Sequence, residues 1–284
     1  MKSITKSGFG IGILVFAAAA IIALPVRTLQ FFTVIESDTG FFAENNWSVY
    51  VLATVCAAAI FAFLVLGFAK RKTLDYSLEL TKRPGQGILS FTAAVSLLMN
   101  AVDVFVKITN RNIPAEDAKT TNLSLGLQAV FALLSAIYFI ALGTSYLSGK
   151  SNGSEYRLIS LAPVIWSVFR LVFRFTRTIS YIRVSDLMLE MVMLVFFILF
   201  FMAFAQVNSR VDADKKEWKI AAYGLPSALL ALLCFVPRFI VMITGNTDLL
   251  HEQSPAEYCD FGIALFIISA VITRVTIKHT TTEE

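Results

Sequence analysis

Three arginines stand four and then three residues apart in an otherwise apolar stretch: Arg170, Arg174 and Arg177 in "RLVFRFTRT". At 100° per residue on a helix, their side chains fall within about 60° of one another and form a stripe along one face. A guanidinium group makes bidentate hydrogen bonds to carboxylates and phosphates. The stripe therefore predicts binding of a small anion or lipid headgroup, or pairing with carboxylates of the same protein.

The depth of Arg170 in the membrane makes a partner necessary. Residues 158–179 form an apolar stretch long enough to cross a membrane. Counted at 1.5 Å per residue from residue 158, Arg170 lies about 18 Å into a hydrocarbon core about 30 Å thick. An arginine at mid-bilayer costs about 2.5–3.5 kcal/mol on the insertion scale. We expect Arg170 to face other helices, whereas Arg177 can extend to the headgroups.

Two other apolar stretches offer counter-charge at a similar depth. Glu190 lies about one turn into the stretch that follows the arginines, level with Arg174. Asn100, Asp103 and Lys107 share a helical face at i, i+3 and i+7 in the third stretch. We predict that Asp103 and Glu190 hold the arginines in place or carry coupling protons, with Asn100 beside them.

Charged residues collect toward one end of the apolar stretches, which predicts a cationic pocket. Arg27 follows Pro25, Arg238 follows Pro237, and Asp260 stands early in the last stretch. The predicted ligand-binding residues are Arg27, Lys107, Arg170, Arg174, Arg177 and Arg238. A structural interpretation stays open, in which these residues lie at headgroup depth or form salt bridges that lock the helices. A voltage sensor is disfavoured, since its arginines usually recur at every third position.

The elements that would position these residues are membrane-spanning helices. Hydrophobic residues make up 57% of the 284 residues and charged residues 15%, well below the fraction of about 25% charged residues in soluble domains. Spans of about 20 apolar residues predict an all-α polytopic bundle in a single domain, residues 1–284. The eight predicted spans are about 8–28, 47–69, 86–106, 123–147, 158–179, 187–208, 219–243 and 258–276.

The distribution of Lys and Arg predicts the orientation. Basic residues precede the first span and follow the second, fourth, sixth and eighth, whereas the loop before the last span has no Lys or Arg. The positive-inside rule then places both termini in the cytoplasm and the arginine stripe in the outer half. The first apolar run also has the basic start of a signal peptide, but it lacks a clean cleavage site, so we expect a retained helix.

Several functional classes find little support in the sequence. HExxH, GxSxG, a P-loop and a dinucleotide fingerprint do not occur, so an enzyme is not expected and no cofactor is predicted. The net charge of +4 is spread over short loops and does not favour nucleic acid. Residues 245–260 collect acidic side chains that could bind a divalent ion. Without a characteristic ligand spacing, a solvated acidic loop is preferred, and no metal site is predicted.

Residues 161–207, "LAPVIWSVFRLVFRFTRTISYIRVSDLMLEMVMLVFFILFFMAFAQV", resemble a hairpin of uncharacterised multi-span membrane proteins from Gram-positive bacteria. The shared markers are a Pro-x-x-Trp start, Pro163 to Trp166, and a carboxylate early in the next helix, Glu190. The resemblance covers about a sixth of the chain. It implies location in a bacterial plasma membrane and carries no known activity.

The sequence thus favours a multi-pass membrane protein that binds a small anion or lipid headgroup, as a transporter or receptor-like binder. The alternative, from a different class, is a non-catalytic accessory or regulatory membrane subunit whose intramembrane charges are structural salt bridges. The two hypotheses differ in one testable property, which is whether Arg170 is open to water or enclosed and paired.

Overall fold

The chain is all-helical in the part that the structure describes. A computed structural model describes residues 8–34, 46–69, 71, 82–109, 118–149, 157–176, 184–209, 213–246 and 256–280. Within these residues there are eight α-helices, one short 3-10 helix at Ile159–Leu161, and no strand. The helices are α1 (Gly8–Thr33), α2 (Trp47–Ala69), α3 (Pro84–Thr109), α4 (Ala118–Ser148), α5 (Ala162–Thr176), α6 (Val184–Asn208), α7 (Ala213–Ile243) and α8 (Tyr258–Thr280).

Six of these helices are long and apolar enough to cross a membrane: α1, α2, α3, α4, α6 and α7. This agrees with the predicted helical, multi-pass membrane architecture. The fifth predicted span, 158–179, is observed as the 3-10 helix and the 15 residues of α5. Residues 177–179 of that predicted span lie outside the described residues. The apolar, described part of α8, Tyr258–Thr273, is shorter than a full span.

The helices α3 to α8 form a closed ring. Each packs against the next along the chain, and α8 packs back against α3. Helices α1 and α2 pack against each other and against α7, outside the ring. Helix α7 consequently has neighbours on most sides, and its span is 67% buried, compared with 22% for α2. The sequence does not predict this difference in burial, because both helices contain an apolar segment long enough to span a membrane.

Aromatic side chains fill the interior of the ring. Phe139 of α4 packs edge-on against Phe201 of α6 and Phe266 of α8, with ring centroids 6.1 and 4.9 Å apart. Phe204 meets the same α8 ring edge-on at 5.4 Å. Edge-to-face aromatic pairs add about 0.5–1.5 kcal/mol to the burial of their area. This apolar core lies deeper in the bundle than the buried charged groups, which are near the helix ends. It holds α4, α6 and α8 at fixed distances from one another.

One end of the bundle, which we call the charged end, carries every buried charged side chain among the described residues. These are Arg27, Arg170, Arg174, Glu190, Arg238 and Asp260. They occur toward the C-termini of α1, α5 and α7 and toward the N-termini of α6 and α8. Since neighbouring helices alternate in direction, these termini meet at one end of the bundle. The predicted concentration of charged residues toward one end of the helices is therefore present in the fold.

Helix α8 begins below the ends of its neighbours at the charged end. The ring of Tyr258, its first residue, contacts Phe235 and Phe239 of α7, at 5.6 and 6.4 Å between centroids. Helix α7 continues to Ile243, so α8 starts about 9 Å short of the end of α7 at 1.5 Å per residue. The first turn of α8 and the preceding Glu257 are thus placed inside the bundle.

A glycine permits the close approach of α8 to α3. A Cβ on Gly262 would collide with the Ser96 hydroxyl and would lie 2.7 Å from the Ser96 Cβ. We expect Gly262→Ala to lower the free energy of unfolding by about 1–3 kcal/mol, as overpacking does elsewhere. Gly126→Ala in α4 is the matched control, because its added Cβ meets nothing within 4 Å. That control should be neutral or stabilising, since Ala has the higher helix propensity.

Thermal or denaturant unfolding of the two variants in the same detergent measures the difference. Equal stability of the two variants would contradict the tight packing of α8 against α3.

Candidate functional site

The charge cluster is built from three elements of the ring. It comprises Arg170 and Arg174 of α5, Glu190 of α6, and Glu257 and Asp260 at the start of α8. The two arginines are four residues apart and therefore project from the same face of α5 toward the interior. The recessed start of α8 brings its two carboxylates to the level of the α5 arginines. The cluster thereby joins three helices through side chains alone.

Arg170 contacts all three carboxylates. Its Nη1 donates to Asp260 Oδ1, and its Nη2 lies 2.9 Å from Asp260 Oδ2, so the two groups pair in a bidentate arrangement. The same Nη2 is 2.7 Å from Glu257 Oε2 and 3.1 Å from Glu190 Oε1. Bidentate, charge-assisted hydrogen bonds of this kind are about twice as strong as neutral ones. Arg170 is the centre of the cluster.

Arg174 closes the cluster on the side nearer the helix ends. Its Nη2 donates to Glu190 Oε1 and to Glu257 Oε1, both at 2.7 Å. Each of these two glutamates therefore contacts both arginines, whereas Asp260 contacts only Arg170 among the described ion pairs. Asp260 is thus the carboxylate of the cluster with the least cationic contact.

The cluster is almost completely enclosed. The side chains of Arg170 and Glu190 are each 1% exposed, and that of Glu257 is 11% exposed. Burial by itself raises the pKa of the Glu257 carboxyl. The positive charges of Arg170 and Arg174 have the larger combined effect and lower this pKa to about 2. Glu257 is therefore ionised at neutral pH. Because Glu257 is the most exposed member, it forms the contact between the cluster and the solution at the charged end.

A second polar layer lies against the inner side of the cluster. The guanidinium carbon of Arg170 is 5.5 Å from the centroid of the Trp166 ring, within cation–π distance. The Trp166 indole Nε1 donates to Asn100 Oδ1 at 3.1 Å, and Gln128 donates to the same oxygen at 3.4 Å. The predicted proximity of Asn100 to Arg170 is therefore observed, but it is mediated by Trp166. This layer adds α3 and α4 to the helices that hold the arginine.

Arg27 belongs to a different polar group. It is buried, donates to Gln30 Oε1 at 2.8 Å, and lies 5.0 Å from the centroid of the Phe31 ring. Gln30 in turn donates to Ser48 Oγ of α2 at 3.3 Å. These contacts tie α1 to α2 outside the ring. Arg27 is thus placed at the same end of the bundle as the cluster but on another interface.

The other predicted site residues occupy separate positions. Arg238 is buried on α7, and its positive charge acts on both Glu190 and Glu257. Asp103 and Lys107 are exposed on α3, and the described salt bridges of Arg170 come from α6 and α8. The expected pairing of Asp103 with the arginines is therefore not observed.

Arg177 lies outside the described residues. Of the predicted acidic loop 245–260, only residues 245–246 and 256–260 are described.

Glu257 is the member of the cluster that the sequence interpretation placed elsewhere, in a solvated acidic loop. A signal for it exists in "EYCD", where Glu257 and Asp260 stand three residues apart across a helix start. Carboxylates favour the first turn of a helix because they interact with its positive dipole and its unpaired N–H groups. The sequence does not show where this helix begins, or how far its first turn lies below the ends of the neighbouring helices.

The arrangement favours internal pairing over capture of an external anion. Every described contact of the Arg170 terminal nitrogens with a carboxylate comes from this chain, so an anion would have to displace Glu190, Glu257 or Asp260. Glu257, Cys259 and Asp260 offer potential metal-ligand atoms within 4.8 Å of one another. Arg170 already contacts both of these carboxylates, however, and its positive charge opposes a metal ion there.

Comparison with known proteins gives no match: no family model, no curated protein and no solved structure corresponds to the chain.

Proposed function

We propose that this protein is a non-catalytic accessory or regulatory membrane subunit, in which the charge cluster fixes the relative positions of α5, α6 and α8. The observation that carries the proposal is the enclosure of Arg170, 1% exposed and paired with three carboxylates of the same chain. A transporter or receptor for an anion needs guanidinium groups that a ligand can reach. The enclosure is why we prefer the accessory subunit to the anion binder.

We infer the complete topology from the six long apolar helices together with α5 and α8. Eight spans with both termini in the cytoplasm place the charged end outside, in agreement with the positive-inside rule. Exposed Trp47 and Tyr50 at the charged end of α2 support an interface there, since these residues concentrate at membrane surfaces. From Trp47 to Phe68, α2 rises about 31 Å, close to the hydrocarbon thickness of about 30 Å. A bacterial plasma membrane is the proposed location.

The energetics favour a structural role for the cluster. An arginine and its carboxylates, once inserted, are stabilised chiefly by each other, because lipid offers no hydrogen bonds. Buried ion pairs of this kind give little net stability relative to apolar packing, but they penalise arrangements in which one partner is missing. The cluster therefore disfavours wrong pairings of α5, α6 and α8. Fixed geometry is what a subunit needs if it presents a constant surface to a partner.

An anion titration of the purified protein distinguishes the two classes. Phosphate, acetate and vesicles with anionic lipid are added, and the thermal unfolding midpoint is measured. A ligand at 100 times its Kd stabilises the folded state by about 2.7 kcal/mol. For the accessory subunit, we expect no saturable stabilisation by any of the three. The partner test is isolation of the protein from its native membrane without detergent, where we expect a second membrane chain in a fixed ratio.

The matched variant for the titration is Arg174→Gln. Arg174 is a member of the cluster but lies nearer the helix end, and its side chain is 7% exposed. A saturable rise in the midpoint for the wild type that is absent from this variant would establish anion binding at the cluster. That result would overturn the proposal in favour of the transporter or receptor.

A further inference from the structure

The carboxylates of the charge cluster outnumber the guanidinium groups that contact them. Two arginines, Arg170 and Arg174, contact three carboxylates, so this contact set has a formal charge of −1 if all groups are ionised. Carboxylates that share a site disfavour each other's ionisation, and one of them commonly retains a proton. The low polarity around the cluster increases this effect, because it weakens the screening of like charges.

The crowding of carboxylate oxygens around one nitrogen atom points in the same direction. The Nη2 of Arg170 carries two hydrogens, yet one oxygen from each of the three carboxylates lies within 3.1 Å of it. Any two of these oxygens are consequently within about 6 Å of each other. The Nε hydrogen of Arg170 has no acceptor among the described residues and so does not relieve the crowding. Glu190 Oε1 also accepts from Arg174 Nη2 at 2.7 Å, so the two Nη2 hydrogens of Arg170 remain for Glu257 Oε2 and Asp260 Oδ2. The repulsion between three carboxylates held this close to one another remains, and it favours a proton on one of them.

We propose that the charge cluster is a proton-binding site, in which Asp260 is protonated at neutral pH and donates a hydrogen bond to a neighbouring glutamate. Asp260 is the member with the least cationic contact, since only Arg170 pairs with it, whereas Glu190 and Glu257 each contact both arginines. A proton on Oδ2 removes the excess negative charge of the contact set. Oδ1 still accepts from Arg170 Nη1.

The other charged groups near the cluster do not replace this proton. Arg238 of α7 and Lys107 of α3 act on Glu257 electrostatically, which stabilises the ionised form of that residue. Among the described ion pairs, however, Asp260 is paired with Arg170 alone. The thiol of Cys259 lies 3.6 Å from Arg170 Nη1, and its buried position keeps it neutral. The proton is therefore held by a carboxyl group.

The fold also indicates where the proton exchanges. Glu257 is the most exposed member of the cluster, at 11%, and it precedes the recessed first turn of α8. In the other half of the bundle, the described residues include no buried charged side chain that could relay a proton. The site is thus expected to exchange protons with the solution at the charged end, through Glu257. This inference concerns the bound proton and does not depend on the accessory role.

Infrared spectroscopy of the reconstituted protein at neutral pH tests the proposal. A protonated carboxyl group has a C=O stretching band separate from the bands of carboxylates. We expect one such band in the wild type and its loss in each of three variants: Glu190→Gln, Glu257→Gln and Asp260→Asn. The first two remove a negative charge, so the remaining carboxylates balance the arginines and the proton is released. The third removes the protonated group itself.

Asp103→Asn on α3 is the matched control, because Asp103 is exposed and outside the cluster. It should leave the band unchanged. If the variants fail to fold, the wild type labelled with carbon-13 in the side-chain carboxyl groups of Asp gives the same information, since the band must then shift. A wild-type spectrum without a protonated carboxyl band, or a band that persists in all three variants, would overturn the proposal.

Discussion

Replacing Arg170 by Gln is expected to lower the free energy of unfolding by about 3–5 kcal/mol, the usual cost of removing one partner from a buried ion pair. The substitution leaves Glu190, Glu257 and Asp260 with Arg174 as the remaining arginine of the charge cluster. An enclosed carboxylate without its partner must either remain ionised at high cost or take up a proton. The fraction of monodisperse protein after extraction, and the unfolding midpoint, measure the loss.

Two further variants connect that loss to the cluster. Arg170→Lys keeps the charge but replaces the planar fork by a single ammonium group, so we expect an intermediate stability. The double variant Arg170→Gln with Glu190→Gln removes one positive and one negative charge, and it should be more stable than Arg170→Gln alone. If the double variant is as unstable as the sum of the two single losses, the residues do not act together, and the structural role of the cluster is refuted.

Replacing Trp166 by Ala is expected to lower the free energy of unfolding by a similar amount, about 3–5 kcal/mol, because a large buried aromatic side chain is replaced by a cavity. Trp166 is fully buried, donates to Asn100, and lies beneath the Arg170 guanidinium. The substitution removes apolar packing, a hydrogen bond and a cation–π contact together. Thermal unfolding in detergent or in lipid discs measures the effect.

The matched control is Trp47→Ala, since Trp47 is 69% exposed at the start of α2. Loss of that side chain should change the unfolding free energy by less than about 1 kcal/mol, in the range of surface substitutions. Trp166→Phe separates the two components of the large loss, because it keeps most of the volume but leaves Asn100 without its indole donor. Equal stability of Trp166→Ala and Trp47→Ala would mean that the second polar layer does not hold the cluster.

Much of the fold could be predicted, because its dominant signal is local. About 20 consecutive apolar residues make a helix in lipid whatever the rest of the chain does, since every backbone group must be satisfied within the segment. For this reason α1, α2, α3, α4, α6 and α7 lie close to their predicted positions. The recessed start of α8 was less predictable, because the surrounding helices set its depth in the bundle.

The site divides in the same way. The pairing of Arg170 and Arg174 with Glu190 was foreseen, because their depth can be counted along two consecutive helices. Asp103 had a comparable depth, yet it is exposed, and the described salt bridges of the two arginines are with Glu190, Glu257 and Asp260. Depth alone does not specify which side of a helix faces the ring interior when both sides are apolar. Glu257 was missed because a residue just before a helix resembles a solvated loop unless that helix begins inside the bundle.

The sequence by itself determined that the chain forms apolar helices, that buried charge belongs at one end, and that Arg170 requires counter-charge. These properties follow from the cost of placing charge and unpaired backbone groups in hydrocarbon, which each segment meets independently. Only the tertiary structure decided that α8 supplies two of the three carboxylates and that the arginines are enclosed. Helix order in the ring and the recess of α8 depend on packing between distant segments, such as Gly262 against Ser96, which no local pattern records.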